Sequence, residues 1–295
     1  MQQDIIVPIV TSFTKDNKID KVKMKELGKT LIERGVDALF VNGTTGVGPM
    51  LTAEEKKQTL EALYDVTNKL LFQIGGLNFD DVKELAKFSK DFDIIGVVAY
   101  PPYYFPNFPE KWVIRYYQEL IEISPHPVYV YNIPEATGFD VNASIVKKIS
   151  ENGMAGVKDT HPELAHTLKY KMMFPQMKVY NGKQALVVAT LASGLDGVVS
   201  AIGNYAPQLL IKARELVNSG KVREALKVQE MIDSFTGLLS KYGSQSAIYV
   251  AIKEMLDVDA GLPRPPIFPL TDDEQKSFVN EIRVLKSKMN ELLSK

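Results

Sequence analysis

Short apolar runs alternate with amphipathic stretches along the first two-thirds of the chain. The runs are Ile5–Val10, Ala38–Asn42, Leu70–Gly75, Ile94–Ala99, Val128–Tyr131, Ala155–Lys158, Lys178–Asn181 and Gly197–Ala201. Each is brief and almost continuously apolar, the pattern of strands buried on both faces of a parallel sheet. Between them, Thr52-Ala53-Glu54-Glu55 reads as a capping box, and Leu60, Leu63 and Val66 follow at helical spacing. Pro109 opens a further helix, with Trp112, Val113, Tyr116, Tyr117 and Leu120 along one stripe. Eight strand–helix units in roughly 220 residues predict an α/β fold, a (β/α)8 TIM barrel. A doubly wound open sheet is the rival. The absence of a glycine-rich turn after the first run counts against it.

Beyond Gly220 the strand pattern stops. Lys221–Lys241 and Ser244–Leu256 read as helices, and the proline-rich stretch Gly261–Pro269 must be extended or turning. Thr271-Asp272-Asp273-Glu274 is a second capping box, opening a last helix with Phe278, Ile282, Leu285 and Met289 on its apolar face. The expected organisation is a barrel over 1–220 and a C-terminal helical region over 221–295.

Composition narrows the function. The 295 residues hold 35 Lys plus Arg against 36 Asp plus Glu. That balance offers no field for nucleic acid or an anionic membrane. There is no cysteine, which excludes disulfides and thiolate metal sites. Met1-Gln2-Gln3-Asp4 lacks the basic start and long apolar run of a secretion signal, and no stretch approaches the roughly 20 apolar residues of a membrane span. A cytoplasmic protein is expected.

In a TIM barrel the active groups sit at the C-terminal ends of strands. Lys158, on the sixth run, is the odd residue there. A lysine on a buried strand loses hydration, so its pKa should fall. Imine chemistry needs the free amine, yet with a reference pKa near 10.4 only about one lysine in 2,500 is neutral at pH 7. A fall of about three pH units corrects this and corresponds to roughly 4 kcal/mol of environment. Alternatively, Lys158 reaches out to water or pairs with Asp159. Tyr131 ends the neighbouring run and can pass protons to a carbinolamine hydroxyl, or it is a core aromatic. Gly43-Thr44-Thr45-Gly46 offers hydroxyls and approachable backbone N–H groups suited to a carboxylate, or it is a plain turn. Gly46-Val47-Gly48 is not a dinucleotide fingerprint. His126, His161 and His166 are too few and too scattered in sequence to suggest a metal site.

Together, Gly43-Thr44-Thr45-Gly46, Tyr131-Asn132-Ile133-Pro134 and Gly156-Val157-Lys158-Asp159 resemble the dihydrodipicolinate synthase / N-acetylneuraminate lyase family, over essentially the whole chain. Within it the likeness is greatest to archaeal 2-keto-3-deoxygluconate aldolases, through Gly43–Pro49, Pro134-Glu135-Ala136-Thr137-Gly138 and Pro263–Leu270. The resemblance implies that Lys158 forms a Schiff base with pyruvate and that Tyr131 transfers protons. It also implies that Thr44 and Thr45 hold the pyruvate carboxylate. Tyr104 matches a tyrosine that a neighbouring subunit adds to the relay. Gly182, Ala201, Pro8 and Thr160 match the lining of the pyruvate and sugar pocket. The family is typically tetrameric, so a homotetramer acting on small molecules, with no cofactor, is expected.

Departures from the family pattern are informative. Ala136 stands where the synthases carry an arginine for a second carboxylate, and Val47 replaces a glutamate usual in synthases and lyases. The positions matching the phosphate contacts of archaeal relatives are Asn107, Ile133 and Ser240, none of them cationic. Lys241, beside Ser240, could partly compensate. The resemblance thus implies cleavage of 2-keto-3-deoxygluconate in an Entner–Doudoroff-type pathway, with the unphosphorylated sugar acid preferred. Alternatives are a sugar-acid dehydratase, a dual-specificity 6-phosphate aldolase, or a non-catalytic sensor.

Overall fold

The computed structural model describes residues 3–105, 107–150 and 153–294. Eight parallel strands close into a barrel: β1 (Asp4–Pro8), β2 (Ala38–Val41), β3 (Leu70–Gln73), β4 (Gly96–Ala99), β5 (Val128–Asn132), β6 (Gly156–Asp159), β7 (Lys178–Asn181) and β8 (Gly197–Val199). Pairing of Asp4 with Gly197 and Ile6 with Val199 joins the last strand to the first. The strands lie within or one residue beyond the apolar runs. Most are shorter, because ladder pairing stops where the chain turns toward the next helix.

Strand alternation divides the apolar residues into two cores. Ile6, Phe40, Leu71, Val98, Tyr131 and Val199 point inward and fill the barrel. Their neighbours, among them Ile5, Leu39, Phe72, Val97, Val130 and Val157, point outward beneath the helices. The floor of the inner core is aromatic. Tyr129 and Tyr180 stack, and the Tyr180 hydroxyl donates to Asp4 Oδ2 at 2.9 Å. Glycine is required beside that floor. A Cβ on Gly156 would stand 2.6 Å from the Tyr129 ring and 2.4 Å from the Lys178 carbonyl oxygen.

The helix patterns hold with two exceptions: Val66, which lies beyond the end of the helix Ala53–Tyr64, and Trp112. Both capping boxes form, at Thr52–Glu55 and Thr271–Glu274. The helix Glu110–Ile123 buries Val113, Tyr116, Tyr117 and Leu120 but leaves Trp112 half exposed, edge-on to Phe108. Trp112 lies in the first turn, off the stripe that the other four define.

The C-terminal helices Val222–Lys241, Ser244–Leu256 and Asp272–Leu293 share the outer core, to which they add Ile232, Phe235, Ile252, Phe278 and Ile282. Burying each such side chain contributes about 1.5–3 kcal/mol. The proline-rich stretch returns to the barrel. Leu262 exchanges backbone hydrogen bonds with Phe13, and the Arg264 guanidinium lies 4.5 Å from the Phe13 ring centroid. Arg264 also donates to the Met50 carbonyl at 2.6 Å and pairs with Glu55. Among the described residues, no helix is long and apolar enough to cross a membrane.

Candidate active site

The mouth at the C-terminal ends of the strands brings Tyr131, Thr44, Gly182 and Thr160 near Lys158. Lys158 and Tyr131 are register partners on β6 and β5. The Lys158 Nζ lies 3.7 Å from the Tyr131 ring centroid and 4.1 Å from that of Phe40. The side chain is only 5% exposed. Burial holds its pKa below the ordinary lysine value, with nearby Tyr131 pulling the other way. The ring faces favour the charged amine, but loss of water disfavours it more strongly.

Lys158 neither reaches out to water nor pairs with Asp159. The Asp159 carboxylate lies on the opposite face of β6, where Asn132, Thr167 and His166 bind it.

Tyr131 connects the amine to the loop after β2. Its hydroxyl is 3.1 Å from Thr44 Oγ1. Thr44 and Thr45 are held out at the mouth by a tight turn in which Gly48 N donates to the Gly43 carbonyl. A Cβ on Gly48 would stand 1.9 Å from the Asn42 carbonyl oxygen, so only glycine fits there. Val47 takes a left-handed φ of 49°, a costly conformation for a β-branched residue.

Gly182 lies against the lysine side chain. A Cβ there would be 3.1 Å from Lys158 Cε and 2.4 Å from Thr160 Oγ1. That Thr160 oxygen is buried with no hydrogen-bond partner among the described residues. Pro8 is the register partner of Phe40 at the end of β1. Tyr104 sits apart from this group, on the loop after β4. It is 80% exposed with φ at 77°, edge-on to Phe105.

A cleft of about 220 Å³ opens above Thr44 and Thr45. Gln184 and Ala201 line it from the ends of β7 and β8, and Tyr205 from the segment after β8. Thr236, Leu239, Ser244, Gln245 and Ile248 line it from the C-terminal helices. No charged side chain is among these lining residues. Gln184 is the hub of the outer wall: its amide donates to Thr236 Oγ1 and accepts from Ser200 Oγ at 3.2 Å and Ile202 N at 3.0 Å.

None of the sequence candidates for phosphate contact lines this cleft. Ile133 packs against the inner core, Asn107 is exposed with φ at 58°, and Ser240 is exposed near a helix end. Lys241, beside Ser240, has an ion-pair partner of its own. It turns to the last helix, where Glu281 accepts from it at 2.8 and 3.0 Å.

Sequence reasoning missed Gln184, Thr236, Ser244 and Gln245, which meet only through the packing of helices far apart in the chain. It also passed over the histidines. His161 and His166 stack with ring centroids 4.1 Å apart, and His166 sits between Asp159 and Asp140. Among the described residues, no group of three or more histidine or acidic side chains is arranged to hold a metal ion.

The chain is similar to known proteins over nearly its whole length. A 2-dehydro-3-deoxy-phosphogluconate/2-dehydro-3-deoxy-6-phosphogalactonate aldolase of Sulfurisphaera tokodaii is 48% identical over 291 residues, 99% of this chain and 100% of that one. The structure of a Sulfolobus 2-keto-3-deoxygluconate aldolase in complex with D-KDPG superposes with a TM-score of 0.95 at 48% identity, covering 98% of each chain. KD(P)GA from T. tenax superposes with a TM-score of 0.93 at 36% identity, covering 97% of this chain and 100% of that one. The model of the dihydrodipicolinate synthetase family matches residues 1–285, from the first strand into the last helix. A match of that reach takes in the strands bearing the lysine and tyrosine as well as the helices that wall the cleft, and the chain belongs to the dihydrodipicolinate synthetase family.

Proposed function

We propose that the chain is a class I aldolase that reversibly cleaves 2-keto-3-deoxygluconate to pyruvate and D-glyceraldehyde through an imine on Lys158. The observation that carries this reading is the Lys158 amine, buried at the barrel mouth with its pKa held down and the Tyr131 ring 3.7 Å away. Relatives at 48% identity bear aldolase names, which supports the reaction class.

In the proposed mechanism the free amine adds to the C2 ketone, and Tyr131 gives a proton to the departing hydroxyl. Water leaves and an iminium remains, an electron sink. The tyrosinate then takes the C4 hydroxyl proton as the C3–C4 bond breaks. The bonding pair moves into the iminium, giving D-glyceraldehyde and an enamine on Lys158. Protonation at C3 and hydrolysis release pyruvate. The iminium supplies the polarisation, so the cycle uses no cofactor.

Thr44 and Thr45 hold the pyruvate carboxylate, and Thr44 also steadies the Tyr131 oxygen. Gly182, Ala201, Thr160 and Pro8 shape the pocket around the bound carbons. Tyr104 of a neighbouring subunit extends the proton relay, in a cytoplasmic homotetramer. The outer cleft meets the sugar hydroxyls with amides and hydroxyls and has no charged lining residue, and with Asn107, Ile133 and Ser240 at the positions matching the relatives' phosphate contacts it favours the unphosphorylated substrate.

A second reading has a specific observation behind it: the named relatives include aldolases of 6-phosphate sugar acids. Two measurements decide. Borohydride with pyruvate should add mass to the Lys158 peptide, and inactivation with that peptide unmodified would overturn the mechanism. Cleavage rates on the two sugar acids should favour the unphosphorylated one; equal or faster use of the 6-phosphate would establish the second reading. A semialdehyde or longer oxo-acid in place of the three-carbon aldehyde and pyruvate would indicate a dehydratase instead.

A further inference from the structure

The strand residues that follow the proposed catalytic pair meet on the other side of the sheet. Asn132 follows Tyr131, Asp159 follows Lys158, and Asn132 and Asp159 are again register partners. Successive strand residues point to opposite faces, so this second pair projects outward as the first projects inward. Asp159 is completely buried there. A buried carboxylate needs donors to replace lost water. Here each oxygen has two donors. Oδ1 accepts from Asn132 Nδ2 at 2.9 Å and from the His161 backbone N at 3.2 Å. Oδ2 accepts from Thr167 Oγ1 at 2.7 Å and from His166 Nδ1 at 3.0 Å.

The network closes on itself. His166 Nε2 lies 3.2 Å from Asp140 Oδ2, and Asp140 Oδ1 accepts from Asn132 Nδ2 at 2.9 Å. Asn132, Asp159, His166 and Asp140 thus form a ring. Thr167 extends it to β7, by accepting from Asn181 Nδ2 at 2.9 Å. The belt ties together the ends of three adjacent strands. Two of them carry Lys158 and Tyr131.

Both acceptors of His166 are carboxylates, so only the imidazolium can donate to each at once. The groups facing it are Asp159 from β6, Asp140 from the segment after β5, His161 stacked on its ring, and Tyr170 edge-on from its own helix. The bonds from Asp140 and Asp159 raise the His166 pKa to about 9, against the opposing pull of burial.

We propose that His166 is a positioning residue whose doubly protonated ring clamps Asp159 to Asp140 behind the barrel wall, holding the ends of β5 and β6 so that Lys158 and Tyr131 stay in register for imine formation. The proposal rests on the reading of Lys158 as the imine-forming lysine. His166, Asp159 and Asp140 are not among the residues that line the cleft.

The chain has three histidines, which makes the test direct. In the full-length protein labelled with ¹⁵N-histidine, one imidazole should remain doubly protonated past pH 8, and that signal should vanish in His166→Gln. Asp140→Asn, at a half-exposed position, removes one charged acceptor and should move this titration toward the ordinary value near 6.5. Borohydride trapping of pyruvate then reads the consequence. In wild type the trapping rate should keep the clamp's contribution up to about pH 9. In Asp140→Asn that contribution should be lost at lower pH, with KM little changed and trapping slowed about tenfold at pH 8. A merely structural role would lower the melting temperature without moving the pH profile. A His166 that titrates near 6.5 in wild type overturns the proposal, as does Asp140→Asn with a wild-type trapping profile. No adduct on Lys158 in wild type removes the underlying mechanism instead, a distinct result.

Discussion

Lys158 and Tyr131 face each other across one rung of the barrel, with the amine 3.7 Å from the ring centroid and both side chains shut away from solvent. The lysine is not favourable for stability, because its buried amine has lost hydration that no ion pair among the described residues restores.

Replacing that amine by an apolar chain of similar length separates activity from stability. Lys158→Met should abolish cleavage and borohydride labelling, yet melt at the same temperature as wild type or higher. Because the folded-state pKa of Lys158 is lowered, the folded protein binds fewer protons than the unfolded chain up to about pH 10. Wild type should therefore gain stability relative to Lys158→Met as the pH rises through that window. Denaturant titrations at several pH values check this, and parallel curves would contradict it.

Tyr131→Phe removes the hydroxyl bonded to Thr44 and leaves the ring beside the lysine. Cleavage should slow by about 10²–10⁴-fold, while pyruvate still labels Lys158 on long incubation. A variant with wild-type turnover would exclude the phenol from proton transfer.

Gly182→Ala inserts a methyl group into the contacts of Thr160 and Lys158. Trapping by pyruvate should slow at least tenfold. Adding Thr160→Ala removes the nearer obstacle, so the double variant should recover part of the rate. Such coupling is expected of residues in direct contact, and strictly additive losses would mean that Gly182 acts otherwise.

Ser240→Arg should raise kcat/KM for the 6-phosphate sugar acid about tenfold, a gain of roughly 1.4 kcal/mol. Turnover of the unphosphorylated substrate should change little. Lys241, the neighbouring cation, is paired with Glu281. Equal effects on both substrates would show that position 240 lies away from the phosphate.

Arg264→Ala breaks the tie between the proline-rich return and the barrel, and should destabilise the fold by about 1–3 kcal/mol. The Arg264 and Thr52 bonds hold the Glu55 pKa below its usual value, overcoming the opposing effect of burial. The contribution of Glu55 is therefore complete above its unfolded pKa near 4.3 and disappears as the pH falls through the lowered folded value. The difference between wild type and Arg264→Ala should shrink in that acid range, as measured by thermal unfolding.

Much of this architecture was legible because it is written in short-range pattern. Eight apolar runs and two capping boxes depend on neighbours in sequence, and Lys158 stood out as a charge in a buried strand. Trp112 was misread because one turn of helix places it beyond the buried stripe. Lys241 looked available beside Ser240 until the last helix brought Glu281 to it. Gln184 and Thr236 lie 52 positions apart, and Asp159, His166 and Asp140 come from three separate segments. No periodicity connects such residues; only the closed barrel does.

The wall that meets the outer end of the cleft hangs on helices packed around the barrel, whereas the lysine rises from inside it. On the proposed reading, exchange of a few helix residues would alter which sugar acid is admitted and leave Lys158 and Tyr131 in place.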